Sequence, residues 1–171
     1  GQHGVPVGAG VASETTAAAT GAVGVTRRDP MAMKPFCGYN FGDYWQHWLS
    51  FGDRSKNLPK VFHVNWFRKG SNGEFLWPGF GDNLRVLRWI IDRCAGRAIA
   101  RETPIGYLPR PEDLDLQGLE IAPAVIDSLL TVDKGSWRDE MTAIAGYFGE
   151  LGSRVPAELL EEHKRVVKTL A

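Results

Sequence analysis

The chain has 171 residues, 43% hydrophobic and 23% charged, proportions that exclude a disordered tail and suit one globular domain with a real core. Twenty Lys and Arg balance twenty Asp and Glu without gathering into blocks, which leaves no footprint for a nucleic-acid or membrane surface. Cys37 and Cys94 are too few for a disulfide framework and too far apart for a metal knuckle, so a reducing, cytoplasmic setting is expected.

In chain order, Gly1-Gln2-His3-Gly4-Val5 has no initiator methionine and no basic leader, and reads as a strand-like or loop-like start cut from something longer. No run of about eighteen apolar residues follows anywhere, so no membrane span is expected. Gly8 to Val25 is built almost wholly of Gly, Ala, Val, Ser and Thr, side chains too small to anchor a core. The segment fits either a plain surface connection with a short alanine helix or a glycine-hinged lid.

From Asp29 to Gly42 two prolines and two glycines impose an irregular path, after which Asp43 is placed to cap a helix carrying Tyr44, Trp45, Trp48 and Leu49 and ending near Gly52. Lys60 to Phe67 is dense in β-branched and aromatic residues and predicts a buried strand. Gly70-Ser71-Asn72-Gly73 is a hairpin-type turn signal, and Glu74 to Gly81 lead into a helix with Asp82 as N-cap and an apolar stripe of Leu84, Leu87, Ile90 and Ile91. That helix is expected to end near Cys94-Ala95-Gly96. Thr103 to Pro111 reads as extended, and three amphipathic helices are predicted near Ala122 to Leu130, Ser136 to Glu150 and Pro156 to Leu170.

The chemistry-bearing patterns are sparse. The sequence holds no GxxxxGK phosphate loop, no HExxH and no GxSxG elbow, and His3, His47, His63 and His163 are scattered over different predicted elements. No catalytic residue and no metal ligand is expected in these residues. The positive signal is aromatic. Phe67 at a strand end, with Phe75 and Phe80 on the returning loop, places flat rings where they can wall a purine, each stack being worth about 1–3 kcal/mol. Gly79 and Gly81 beside Phe80 let backbone approach a ligand, and Asn83 at the helix start offers an amide donor and acceptor for the edge of guanine. Spacing alone equally allows Phe67, Leu76, Trp77 and Phe80 to be a hydrophobic staple for the loop.

The runs Asp29-Pro30-Met31-Ala32-Met33, Gly38-Tyr39-Asn40-Phe41-Gly42, Phe62-His63-Val64-Asn65-Trp66-Phe67-Arg68-Lys69, Phe75-Leu76-Trp77-Pro78-Gly79-Phe80-Gly81-Asp82-Asn83 and Thr103-Pro104-Ile105-Gly106-Tyr107 together resemble the GTP-dependent phosphoenolpyruvate carboxykinases. The resemblance covers about Val11 to Leu119 most strongly. It implies an α/β fold in which residues 1–171 are the C-terminal portion of one larger nucleotide-binding catalytic domain. Residues 1–28 would be a glycine- and alanine-rich segment with the lid, 29–119 a guanine-binding core and 120–171 a helical packing portion. It implies conversion of oxaloacetate and GTP to phosphoenolpyruvate, GDP and carbon dioxide with Mn²⁺ or Mg²⁺, at the entry to gluconeogenesis, by a monomeric parent.

In that family guanine is held by residues matching Trp66, Phe67, Phe75, Phe80 and Asn83. Thr15-Thr16-Ala17-Ala18-Ala19-Thr20-Gly21-Ala22-Val23-Gly24-Val25 matches its active-site lid. The family's phosphate loop, metal ligands and acid-binding arginines match nothing here and are expected upstream of Gly1. Ala12 stands where some members carry arginine, and Ala17 to Val23 lack the lysines of some lids. The alternative expectation is a structural or interaction fragment that binds no nucleotide by itself.

Overall fold

The computed structural model describes residues 3–14 and 25–171. Its elements, in order, are α1 (Gly4–Ala9), β1 (Ala12–Glu14), β2 (Thr26–Arg28), α2 (Phe41–Arg54), α3 (Asn83–Cys94), β3 (Arg101–Thr103), β4 (Gly106–Leu108), α4 (Pro123–Leu130), α5 (Lys134–Leu151) and α6 (Ala157–Leu170), with short 3₁₀ turns between some of them. The architecture is thus mixed, with helices dominant and two small antiparallel ladders, β1–β2 and β3–β4. Two compact units divide the chain: Gly1–His63 with Lys134–Ala171, and Val64–Asp133. Among the C-terminal helices, α4 belongs to the second unit, while α5 and α6 return to the first.

In the first unit, Asn40 caps α2 by accepting the Gly42 N–H at 2.7 Å from extended backbone, so the cap is Asn40 and not Asp43. Asp43 instead lies in the first turn and Arg54 in the last, each sign where the helix dipole favours it. Trp45 is fully buried and meets Phe148 and Tyr147 on α5 edge to face, with ring centroids 5.4 and 6.2 Å away. Leu159, Val166 and Leu170 form the buried stripe of α6, and His163 Nε2 hydrogen-bonds the Met141 carbonyl of α5 at 2.7 Å. Gly4–Ala9 is helical, not strand-like: Pro6 sits in the first turn of α1, where its missing N–H costs nothing, and Val5 and Ala9 are buried.

The ladder β1–β2 joins the two sides of residues 15–24, with Ala12 opposite Arg28 and Glu14 opposite Thr26. Arg28 donates to the Gly10 carbonyl at 2.8 Å and pairs with Glu140 on α5. Ser13 donates to the buried Asp29 carboxylate at 2.7 Å. Of the expected lid, Thr15 to Gly24 lie outside the described residues, and Val25 is exposed.

In the second unit the core holds Trp77, Trp89 and Ile126. Arg68 and Arg101 donate to the carbonyls of Ser128 and Leu130, at 2.6 and 2.7 Å, satisfying the open carbonyl end of α4. Thr103 and Gly106 close the β3–β4 hairpin, so the stretch expected to be merely extended is a paired ladder with a two-residue turn.

Two further expectations are corrected. Residues 60–67 make no ladder; Phe62, Val64 and Trp66 are half-buried in alternation with exposed Val61, His63, Asn65 and Phe67. The segment has strand composition, but a ladder needs a neighbour, and no described residue supplies one. On α3, Leu84, Leu87 and Ile91 face solvent, and the inward face is built on Trp89 with half-buried Val86 and Ile90.

Candidate functional site

The site expected from the sequence falls wholly within the second unit, on the stretch from Asn65 to the first turn of α3. Asn65 begins it by accepting the Phe67 N–H on its side-chain oxygen at 2.9 Å, a local turn at the end of the extended segment. The chain then reverses. Gly73 N–H reaches the Gly70 carbonyl at 3.1 Å, Gly73 is left-handed at φ 84°, and Leu76 N–H returns to the Arg68 carbonyl at 2.9 Å. This is the turn followed by a left-handed glycine that a short hairpin prefers. Lys69 and Phe75 are bridged across it.

The reversal brings Phe67 and Phe75 together, with centroids 6.1 Å apart and planes at 64°, while both rings stay largely exposed. Two parallel walls around a base need roughly 7 Å, twice a van der Waals contact, so no base enters between these two rings. They make one composite wall. The Lys69 ammonium stands 5.5 Å from the Phe75 ring centroid.

Phe80 is 95% exposed and left-handed at φ 47°. Gly79 before it has φ 80° and ψ −164°, a conformation essentially reserved for glycine. A large apolar ring at a sparsely populated backbone angle, presented to solvent, is the kind of stored strain that clusters at ligand sites. Phe80 has no ring contact with another described aromatic, so the structure does not bring it against Phe67 or Phe75. Trp66 is half-buried beside them in sequence.

Asp82 was the expected N-cap of α3. It occupies the cap position but its side chain makes no cap bond; a 3₁₀ turn, Phe80–Asp82, leads into the helix, and the Asp82 carboxylate accepts from Arg85 Nε at 2.9 Å. Arg85 also donates to the Asp115 and Gln117 carbonyls, at 2.7 and 3.0 Å, which pins the helix start to the downstream loop. Asn83 is half-buried, and its side-chain oxygen accepts the Trp77 indole N–H at 2.8 Å. Sequence spacing gave no sign of that bond.

Elsewhere in this unit, Asp92 and Asp113 have carboxyls held below their ordinary values, first by hydrogen bonds from Arg88 and Arg110 respectively. Both are ion-pair effects, with no neighbour suited to proton transfer. A shallow depression over Glu158, Glu161, Glu162 and Arg165 lies on α6 in the other unit, and its acidic lining suits no phosphate. Among the described residues no group of three or more His, Cys, Asp and Glu is arranged to hold a metal, and no helix is long and apolar enough to cross a membrane. The divalent metal that the resemblance implies has no such ligand group among the described residues.

The stretch from Asn65 to the first turn of α3 is thus an exposed aromatic turn feeding a helix start, on a mixed helical scaffold. The family model of the phosphoenolpyruvate carboxykinase C-terminal P-loop domain matches residues 1–169, and the chain belongs to that family. It is similar to the phosphoenolpyruvate carboxykinase (GTP) of Anaeromyxobacter dehalogenans strain 2CP-C, 55% identical over 157 residues, covering 92% of this chain and 26% of that protein. The phosphoenolpyruvate carboxykinase (GTP) of Thermoplasma volcanium is 52% identical over 168 residues, 98% of this chain and 28% of the relative. That of Chlamydia muridarum is 51% identical over 170 residues, 99% and 28%. The chain thus spans little more than a quarter of the length of these relatives.

Proposed function

We propose that this chain is the guanine-binding part of a GTP-dependent phosphoenolpyruvate carboxykinase, which decarboxylates and phosphorylates oxaloacetate with GTP to give phosphoenolpyruvate, GDP and carbon dioxide. The observation that carries the reading is the presentation of Phe67, Phe75 and Phe80. These residues are 71%, 58% and 95% exposed, on a hydrogen-bonded turn and a strained backbone. A hydrophobic staple would bury its rings; these are offered outward.

In this reading the base lies against the Phe67–Phe75 wall and under Phe80, with Trp66 supporting and Asn83 reading an edge. Residues 1–28 carry the lid, 29–119 the guanine-binding core and 120–171 packing helices, all as one stretch of a larger catalytic domain. Support for the lid reading comes from the described residues on either side, which pair as β1–β2 and are tied by Arg28 to Glu140. Lid closure protects a reactive enolate from water. The phosphate loop, the Mn²⁺ or Mg²⁺ ligands and the arginines for the organic acid belong to the rest of a monomeric, cytoplasmic parent. Phosphate contacts supply much of a nucleotide's affinity, so this chain by itself is inactive.

The test is Phe80→Ala in the full-length protein. The Michaelis constant for GTP is expected to rise roughly tenfold or more, as loss of one stack implies, while that for oxaloacetate stays nearly constant. Equal effects on both would assign Phe80 to packing.

A further inference from the structure

Trp77 is the only aromatic of the Phe75–Phe80 run that is buried, at 6% exposure, and its indole N–H is spent on the Asn83 side-chain oxygen at 2.8 Å. An indole nitrogen is a donor with no acceptor capacity, so the amide atom it meets must be the carbonyl oxygen. That contact decides which way the Asn83 amide points. With the oxygen turned to Trp77, the NH₂ group is the end left over, and it makes no hydrogen bond to any described residue.

The consequence bears on base identity. Guanine and hypoxanthine carry a carbonyl acceptor at C6, where adenine carries an amino donor. An asparagine free to flip could serve either; one whose oxygen is turned to an indole presents its NH₂ end on the opposite side. We propose that Trp77 is a positioning residue that locks Asn83 as a hydrogen-bond donor and thereby selects 6-oxopurine over 6-aminopurine nucleotides. The inference rests on the guanine-pocket reading above and sharpens it. In this contact the Asn83 NH₂ donates to O6.

The lock has a structural reason. Trp77 and Asn83 are separated by Pro78, the Gly79 turn and the 3₁₀ turn of Phe80–Asp82, and the bond between them closes that excursion on itself. The indole is buried, and Asn83 is the first residue of α3, so its backbone is fixed by the helix. A donor held this way is preorganised before the base arrives, and a mismatched donor facing it is left unpaired.

The test uses the full-length protein with GTP, ITP and ATP as probes. Trp77→Phe keeps an apolar ring and removes the N–H. The ratio of kcat/KM for GTP to that for ATP is expected to fall by about tenfold, the scale of one hydrogen bond, with the GTP to ITP ratio unchanged. Asn83→Asp leaves Trp77 its acceptor but replaces the NH₂ by an oxygen, and is expected to lower the same ratio further without disturbing the buried ring. Unchanged ratios in both variants, or kcat/KM lowered equally for GTP and ATP, would overturn the proposal. If Phe80→Ala raises the GTP Michaelis constant while these ratios hold, the pocket stands and the role of Trp77 falls. If Phe80→Ala has no such effect, the pocket reading itself has failed.

Discussion

Phe67 and Phe75 meet edge to face across the Gly70–Gly73 turn, 6.1 Å between centroids, and yet remain 71% and 58% exposed. Their contact therefore contributes little to the fold. Phe75→Ala is expected to change unfolding free energy by less than about 1 kcal/mol, against the 3–5 kcal/mol typical of a buried aromatic truncation. In the full-length protein it should nonetheless weaken GTP. Urea denaturation and steady-state kinetics on the same variant separate the two; a large stability loss would make the pair a staple.

Gly42 and Gly52 both lie inside α2, and their surroundings differ. A Cβ at Gly42 would stand 2.1 Å from the Arg154 carbonyl oxygen, whereas one at Gly52 would meet nothing within 4 Å. Gly42→Ala is expected to cost about 1–3 kcal/mol through overpacking. Gly52→Ala should stabilise by roughly 0.5–1 kcal/mol through helix propensity. Denaturant midpoints of the two variants check the contrast, and similar shifts would contradict the close approach at Gly42.

The Glu162 carboxyl is held below its ordinary value of 4.5, first by the Arg165 hydrogen bond, which burial partly opposes, with a smaller downward pull from His3. The folded state binds this proton less readily than the unfolded one. Its contribution to stability is thus complete above the unfolded carboxylate range and is lost as pH falls through 4.5 toward the lowered folded value. Glu162→Gln should flatten that part of the stability profile. Parallel profiles for the two proteins below pH 4.5 would remove Glu162 from the acid response.

On α3, Leu87→Lys should leave stability within about 0.5 kcal/mol of wild type, because Leu87 is 42% exposed and lies on the outward face with Leu84 and Ile91. Trp89→Ala, on the inward face, should cost about 3–5 kcal/mol. Reversal of that order would mean that the helix packs through the leucines.

The helices were legible wherever caps and periodicity agreed. The apolar spacing of α4, α5 and α6 placed each to within two residues, and Gly96, left-handed at φ 73°, marks the end of α3 where the sequence put it. The face that α3 buries was not legible, because an apolar stripe records only that some surface is to be covered. Residues 60–67 have strand chemistry without a strand, since pairing depends on a neighbour that local sequence does not specify. Asn40 was passed over as a cap in favour of Asp43, both being good capping residues three positions apart. At the candidate site, residue types suggested flat rings and an edge reader. The edge-to-face angle of Phe67 and Phe75 and the Trp77–Asn83 bond depend on how the turn folds back, which spacing does not encode.

The central claim is that the base of a guanine nucleotide lies on these three phenylalanines. A crystal structure of the full-length protein with bound GDP tests it most directly. The base is expected within about 4 Å of the Phe67, Phe75 and Phe80 rings, with O6 facing the Asn83 amide nitrogen. A base bound elsewhere, with the three rings covered by protein, would contradict the account.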